Sequence, residues 1–170
     1  MKIREITTGL QFPEGPIAMA DGSVVLVEIA RGTLSRVTPD GRIHVIADLG
    51  GGPNGAAIGP DGAVYVCNNG GFHWHTEADG TLRPMAQAAD YSGGRIERVN
   101  LATGHAERLL DSVDGIGLRG PNDLVFDAHG GFYFTDLGKG RAADMDMGAV
   151  HYARTDGTAI NVARPLLTPN

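Results

Sequence analysis

Four side chains that carry metal-binding oxygens recur at matching places along this chain: Glu14, Asn54, Asn122 and Asn170. Each follows a proline, and they recur after 40, 68 and 48 residues. One carboxylate and three carboxamides make a hard-oxygen set. Such a set suits Ca²⁺ or Mg²⁺ far better than a metal that seeks thiolate or imidazole. A cation held this way could polarise an ester carbonyl or a phosphoryl oxygen. A blander reading stays open, because Pro53-Asn54-Gly55 is an ordinary turn sequence whose amide bonds nearby backbone. The segment Pro13-Glu14-Gly15-Pro16 is not a favoured turn, and a carboxylate buried in a channel needs a charge partner. For Glu14 the cation reading is the stronger one.

The spacing of these residues belongs to a longer repeat. Seven residues after each of the first three comes Asp or His and then glycine: Asp21-Gly22, Asp61-Gly62 and His129-Gly130. A β-prone run follows each, VVLVE, AVYVC and GFYFT. A unit of about 40 to 50 residues built from four short strands is the size of a propeller blade. The units cover residues 12–49, 52–112 and 120–166, and Pro169-Asn170 opens a fourth. The long middle interval requires an insertion, which residues 70–92 supply, with no sustained period of either kind. Asp-Gly turns between apolar runs are hairpin signals, because glycine accepts positive φ. No window of eleven or more residues holds a helical apolar stripe free of Gly and Pro. The sequence therefore predicts an all-β fold, one partial β-propeller domain over 1–170 with about three blades and the start of another. In that architecture the innermost strand of each blade lines a central channel. The residue just before it sits at the channel mouth, so Glu14, Asn54, Asn122 and Asn170 are expected to converge.

Composition narrows the partners. The 170 residues carry a net charge of −6, with no cluster of Lys and Arg, which argues against nucleic acid. No apolar run reaches the roughly 18 residues of a membrane span, and the first ten residues hold no signal segment, so no membrane association and a cytoplasmic location are expected. The single cysteine, Cys67, allows no internal disulfide and reads as a small buried residue. No obligate protein partner is evident.

Other constellations are weaker. His73 and His75 alternate on one strand face as a zinc pair could, but no third ligand lies nearby. The insertion reads rather as a cover for the channel mouth, where Phe72, His73 or Trp74 would touch a ligand. Asp144 and Asp146 resemble half a calcium loop within what reads as a solvated turn. Ser92-Gly93-Gly94 lacks the pattern of a nucleophile elbow.

Several motifs in order carry a family resemblance. Phe12-Pro13-Glu14-Gly15-Pro16 resembles the opening motif of the gluconolactonase, regucalcin (SMP-30) and diisopropylfluorophosphatase-like six-bladed propellers. Gly120-Pro121-Asn122-Asp123, followed by Phe132-Tyr133-Phe134-Thr135-Asp136, resembles a second motif of that family. Leu166-Leu167-Thr168-Pro169-Asn170 is similar to the lead-in to a third. The resemblance implies metal-dependent hydrolysis of small sugar lactones, with Ca²⁺ as the expected cofactor and Mg²⁺, Mn²⁺ or Zn²⁺ as substitutes. By position it makes Glu14, Asn122 and Asn170 metal ligands. It makes Asn54, Asn122 and Arg119 the candidates for substrate contact, with Arg119 displaced by one residue from the family position. The essential Asp of the family, a metal ligand and candidate base, falls beyond Asn170, so no catalytic residue is assigned. The same resemblance implies that the chain is the N-terminal half of such an enzyme, inactive alone, with open sheet edges that risk aggregation. It also implies that residues 2–10 pair with a last blade. A non-catalytic propeller that binds a ligand or protein on its face is the competing reading.

Overall fold

The computed structural model describes residues 3–170, and no helix among them is long and apolar enough to cross a membrane. It is built from three antiparallel four-stranded sheets in succession. The first contains β1 (Pro13–Ala18), β2 (Val24–Glu28), β3 (Thr33–Val37) and β4 (Ile43–Asp48), in that spatial order. The second runs β5 (Pro53–Ile58), β6 (Val64–Asn68), β9 (Arg95–Val99) and β10 (Ala106–Leu110). Between β6 and β9 a separate hairpin projects, β7 (Phe72–Thr76) and β8 (Leu82–Gln87). A small pair, β11 (Ser112–Val113) and β12 (Ile116–Gly117), leads to the third sheet. That sheet is β13 (Pro121–Phe126), β14 (Gly131–Asp136), β15 (Gly148–Arg154) and β16 (Ala159–Leu166).

The sheets pack face to face because each strand alternates its apolar side chains. Val25, Val27 and Leu34 of the first sheet meet Val64, Val66 and Val99 of the second, all fully buried. Tyr65, Cys67 and Ile96 of the second meet Leu124, Phe132 and Phe134 of the third. The innermost strands β1, β5 and β13 consequently lie side by side. Sheets stacked with their inner strands together are blades of a β-propeller.

One expectation is corrected. Residues 70–92 are not an aperiodic loop, since most of them form the β7–β8 hairpin. Pro84 sits inside β8, a place a strand tolerates only where no further ladder is required of it, as in this two-stranded ribbon. Residues 3–10 form no strand with the blades present, and Lys2 lies outside the described residues. Thr7 Oγ1 donates to Gly41 O at 2.8 Å, and Arg31 Nη2 donates to Gly9 O at 2.8 Å, which holds the segment against the first sheet.

Candidate metal and substrate site

Each innermost strand breaks its ladder close to its opening proline. Register shifts between Glu14 and Ile17 in β1, between Pro53 and Ala56 in β5, and between Pro121 and Leu124 in β13. A bulge of this kind lifts a residue out of the regular alternation and re-aims its side chain. Asn54 and Asn122 lie inside these interruptions, while Glu14 still pairs with Val27 at the edge of its own; each is the second residue of its strand rather than the residue before it. Glycines then let the strands approach. A Cβ on Gly15 would lie 2.6 Å from Ala56 N, and one on Gly55 would lie 2.6 Å from Asn122 O.

The result is a shared rim. Glu14, Asn54, Asn122, Asp123 and Asn170 line one polar cavity of about 220 Å³. Asn54 Nδ2 donates to Asn122 Oδ1 at 2.5 Å, and Asn122 Nδ2 donates to Asn170 Oδ1. Residues 48 and 68 apart in sequence thus touch through their side chains. This directed relay orients three amides one after another. Glu14 is exposed to the cavity rather than buried, and among the described residues its carboxylate makes no hydrogen bond or ion pair. A carboxylate open to solvent needs no buried charge partner, so the argument from a buried carboxylate does not hold.

The remaining sequence candidates are placed as follows. Arg119 is exposed and does not line the cavity, although its backbone N–H donates to Asp136 Oδ2 at 2.8 Å. His73 and His75 are both exposed, and no group of three or more His, Cys, Asp or Glu among the described residues is placed to hold a metal. Asp144 and Asp146 pair with Arg141 at 2.5 and 2.8 Å, which closes a small solvated turn. Cys67 is fully buried, and burial pushes its thiol well above the usual range.

The structure adds residues that the sequence did not single out. Asp123 contributes a second carboxylate to the cavity wall. Lys139, just after β14, is only 1% exposed and reaches across to the second sheet. Its Nζ donates to Asn69 Oδ1 and to Gly71 O, both at 2.9 Å, and sits 3.8 Å from the centre of the Phe72 ring. Burial lowers this ammonium to about 7, against the pull of Asp136 in the other direction. The hairpin anchored there extends toward the rim, where Trp74 packs on Phe12 with ring centroids 5.0 Å apart. Phe12 stands two residues before Glu14. The hairpin thus joins the third sheet to the entry of β1.

Comparison with known proteins agrees with this architecture. A gluconolactonase of Zymomonas mobilis is 25% identical over 99% of this chain and 47% of its own length. The solved structure of a Xanthomonas campestris gluconolactonase, important in glucose secondary metabolic pathways, superposes with a TM-score of 0.67 at 24% identity. It is matched over 93% of this chain and 49% of that one. The fold is shared more widely. A nidogen/laminin complex contains a chain that matches with a TM-score of 0.61 at 19% identity, over 91% of this chain and 49% of its own. The chain therefore spans about half the length of the relatives it matches. Residues 12–170 match the sequence family described as SMP-30/Gluconolactonase/LRE-like region, which takes in both the rim and the repeat, and the chain belongs to that family.

Proposed function

We propose that this chain supplies the N-terminal half of a metal-dependent hydrolase of small sugar lactones, in which Glu14, Asn122 and Asn170 hold a divalent cation, Ca²⁺ by preference. The observation that carries the reading is the convergence of one carboxylate and three amides, up to 156 residues apart, on a single polar cavity. The donor set fits such an ion, since all of its atoms are hard oxygens and Glu14 is left free of protein partners. An amide oxygen has two lone pairs, so Asn122 Oδ1 can accept from Asn54 and still ligate. A bound cation would supply Lewis-acid polarisation of the ester carbonyl. The chain's own residues shape the rest. Asn54 fixes the direction of the Asn122 amide and Asn122 that of Asn170, and the cavity of about 220 Å³ has room for a small polar ligand.

The competing reading is a non-catalytic propeller, and the matched carboxylate and amides of the rim count against it. A binding scaffold has no use for a carboxylate and amides at matching blade positions. The test is calorimetric titration of Ca²⁺ into the protein and into Glu14→Gln, together with gluconolactone hydrolysis by a form that carries the remaining blades. The lactonase reading expects Ca²⁺-dependent turnover and an affinity lowered at least about tenfold by the substitution, which is ~1.4 kcal/mol. Equal affinity in the two proteins would remove Glu14 from the site, and absence of turnover with intact binding would favour the scaffold.

A further inference from the structure

Directly behind the rim lies a second set of matched positions. Across the ladder from Pro13, Pro53 and Pro121 stand Glu28, Asn68 and Asp136, the last residues of β2, β6 and β14. Each lies fourteen residues after its rim partner Glu14, Asn54 or Asn122. All three are buried, at 0%, 0% and 6% exposure, although all are polar. A buried carboxylate or amide persists only when its hydrogen bonds are made.

Those bonds go to one kind of place. Glu28 Oε2 accepts from Gln11 N at 2.8 Å. Asn68 Oδ1 accepts from Gly52 N at 2.9 Å. Asp136 accepts from Gly120 N at 2.7 Å through Oδ1 and from Arg119 N at 2.8 Å through Oδ2. Every acceptor therefore seizes the backbone one or two residues before the proline that opens an innermost strand. Each also ties down the loop that leaves its own strand. Arg31 Nε pairs with Glu28 Oε2 at 3.0 Å, while Gly70 N and Gly138 N each donate at 3.0 Å, to Asn68 Oδ1 and Asp136 Oδ1.

We infer that Glu28, Asn68 and Asp136 are positioning residues, a buried belt that sets the entry of each innermost strand and so aims Glu14, Asn54 and Asn122 into the common cavity. The inference rests on the rim being the functional site. The residue types are not interchangeable. Asp136 receives three N–H groups and needs acceptors on both oxygens. Asn68 must also donate, through Nδ2, to Gly50 O at 3.0 Å and to Glu97 Oε2 at 2.9 Å, where a carboxylate would meet two acceptors. Glu28 has its second oxygen on Ser35 Oγ at 2.7 Å, which a longer side chain can reach from the same register position.

Asp136→Asn tests this, because it keeps the shape and sets a donor against the Arg119 N–H. The readout is the side-chain amide resonances of Asn54 and Asn122 in ¹⁵N-labelled protein, and the proton contact between those two amides. The control is Val99→Ala, a fully buried apolar site between the first two sheets and outside the belt, compared at matched loss of melting temperature. Expected is a shifted or broadened Asn122 amide and loss of the Asn54–Asn122 contact in Asp136→Asn, with both retained in the control. Where Ca²⁺ binds, its affinity should fall by about 10- to 100-fold in Asp136→Asn alone. Should that variant fail to fold, Asn68→Asp is expected to displace the Asn54 amide in the same manner. Unchanged rim amides in a folded belt variant, or equal changes in Val99→Ala, would overturn the inference. The amide readout contains no metal, so a wild-type protein blind to Ca²⁺ counts against the metal reading and leaves the belt to be judged by the amides.

Discussion

Lys139 offers the sharpest quantitative test of the packing between blades. An unfolded lysine titrates near 10.4, whereas burial lowers this one to about 7 in the folded chain. Between those values the unfolded state binds more protons than the folded state, so this group makes stability rise with pH. Below pH 7 the ammonium is charged in both states and the full cost of burying it stands. Above pH 7 the folded chain sheds the proton, and the neutral amine still has two N–H groups for Asn69 Oδ1 and Gly71 O. With about 1.4 kcal/mol per pH unit between the two pKa values, the gain from pH 6 to pH 9 amounts to about 2–3 kcal/mol. Other groups titrate in that window, so the measurement is a difference. Urea midpoints of the wild type and of Lys139→Met are taken at pH 6, 7, 8 and 9, and the gap between them is followed. Methionine keeps the apolar stem against Phe72 but leaves Gly71 O without its lysine donor. The wild type should gain on the variant by about 2–3 kcal/mol over the range. Parallel pH profiles would mean that Lys139 titrates in the fold as it does in water, and that the cage is open to solvent.

Three further outcomes follow from contacts already described. Gly55→Ala would bring a Cβ to 2.5 Å from Asp123 Oδ1 and 2.6 Å from Asn122 O, so it should cost about 1–3 kcal/mol in urea unfolding. Gly117→Ala, with no atom within 4 Å of its added carbon, should stay within about 0.5 kcal/mol. Cys67 should react with a thiol reagent only as fast as the chain opens, so labelling should accelerate in parallel with urea-induced unfolding.

The parts of the fold that local chemistry dictates were readable in the sequence. The proline, the rim residue and the glycine eight positions later recur because a hairpin must turn there, and Gly22, Gly62 and Gly130 do adopt positive φ. The rim residues were readable for the same reason, since repetition itself marks a shared place in a ring. The belt obeys an equally regular offset of fourteen, yet Glu28, Asn68 and Asp136 differ in type and sit at the ends of apolar runs. Their role shows only when the ladder places them against the prolines. Lys139 gave no signal at all. A lysine between two glycines reads as solvated, and its cage is assembled from a hairpin that belongs to another blade. That hairpin was itself hidden, because its strands are short, half polar and interrupted by Pro84.

The choice of three amides and one acid at the rim has a physical logic of its own. The inner strands approach so closely that Asn54 and Asn122 touch, and two carboxylates in that contact could not both stay ionised. An amide brings a donor as well as an acceptor, so the row from Asn54 to Asn170 satisfies itself. Glu14, the one acid of the four, stands at the open side, where solvent can balance its charge. The row of amides is therefore hydrogen-bonded from Asn54 to Asn170, and the acceptors behind it fix the strand entries that present it. On the proposed reading, a site assembled in this way would separate folding from loading, so that the strength of ion binding could be tuned at Glu14 while the blades that present it hold their place.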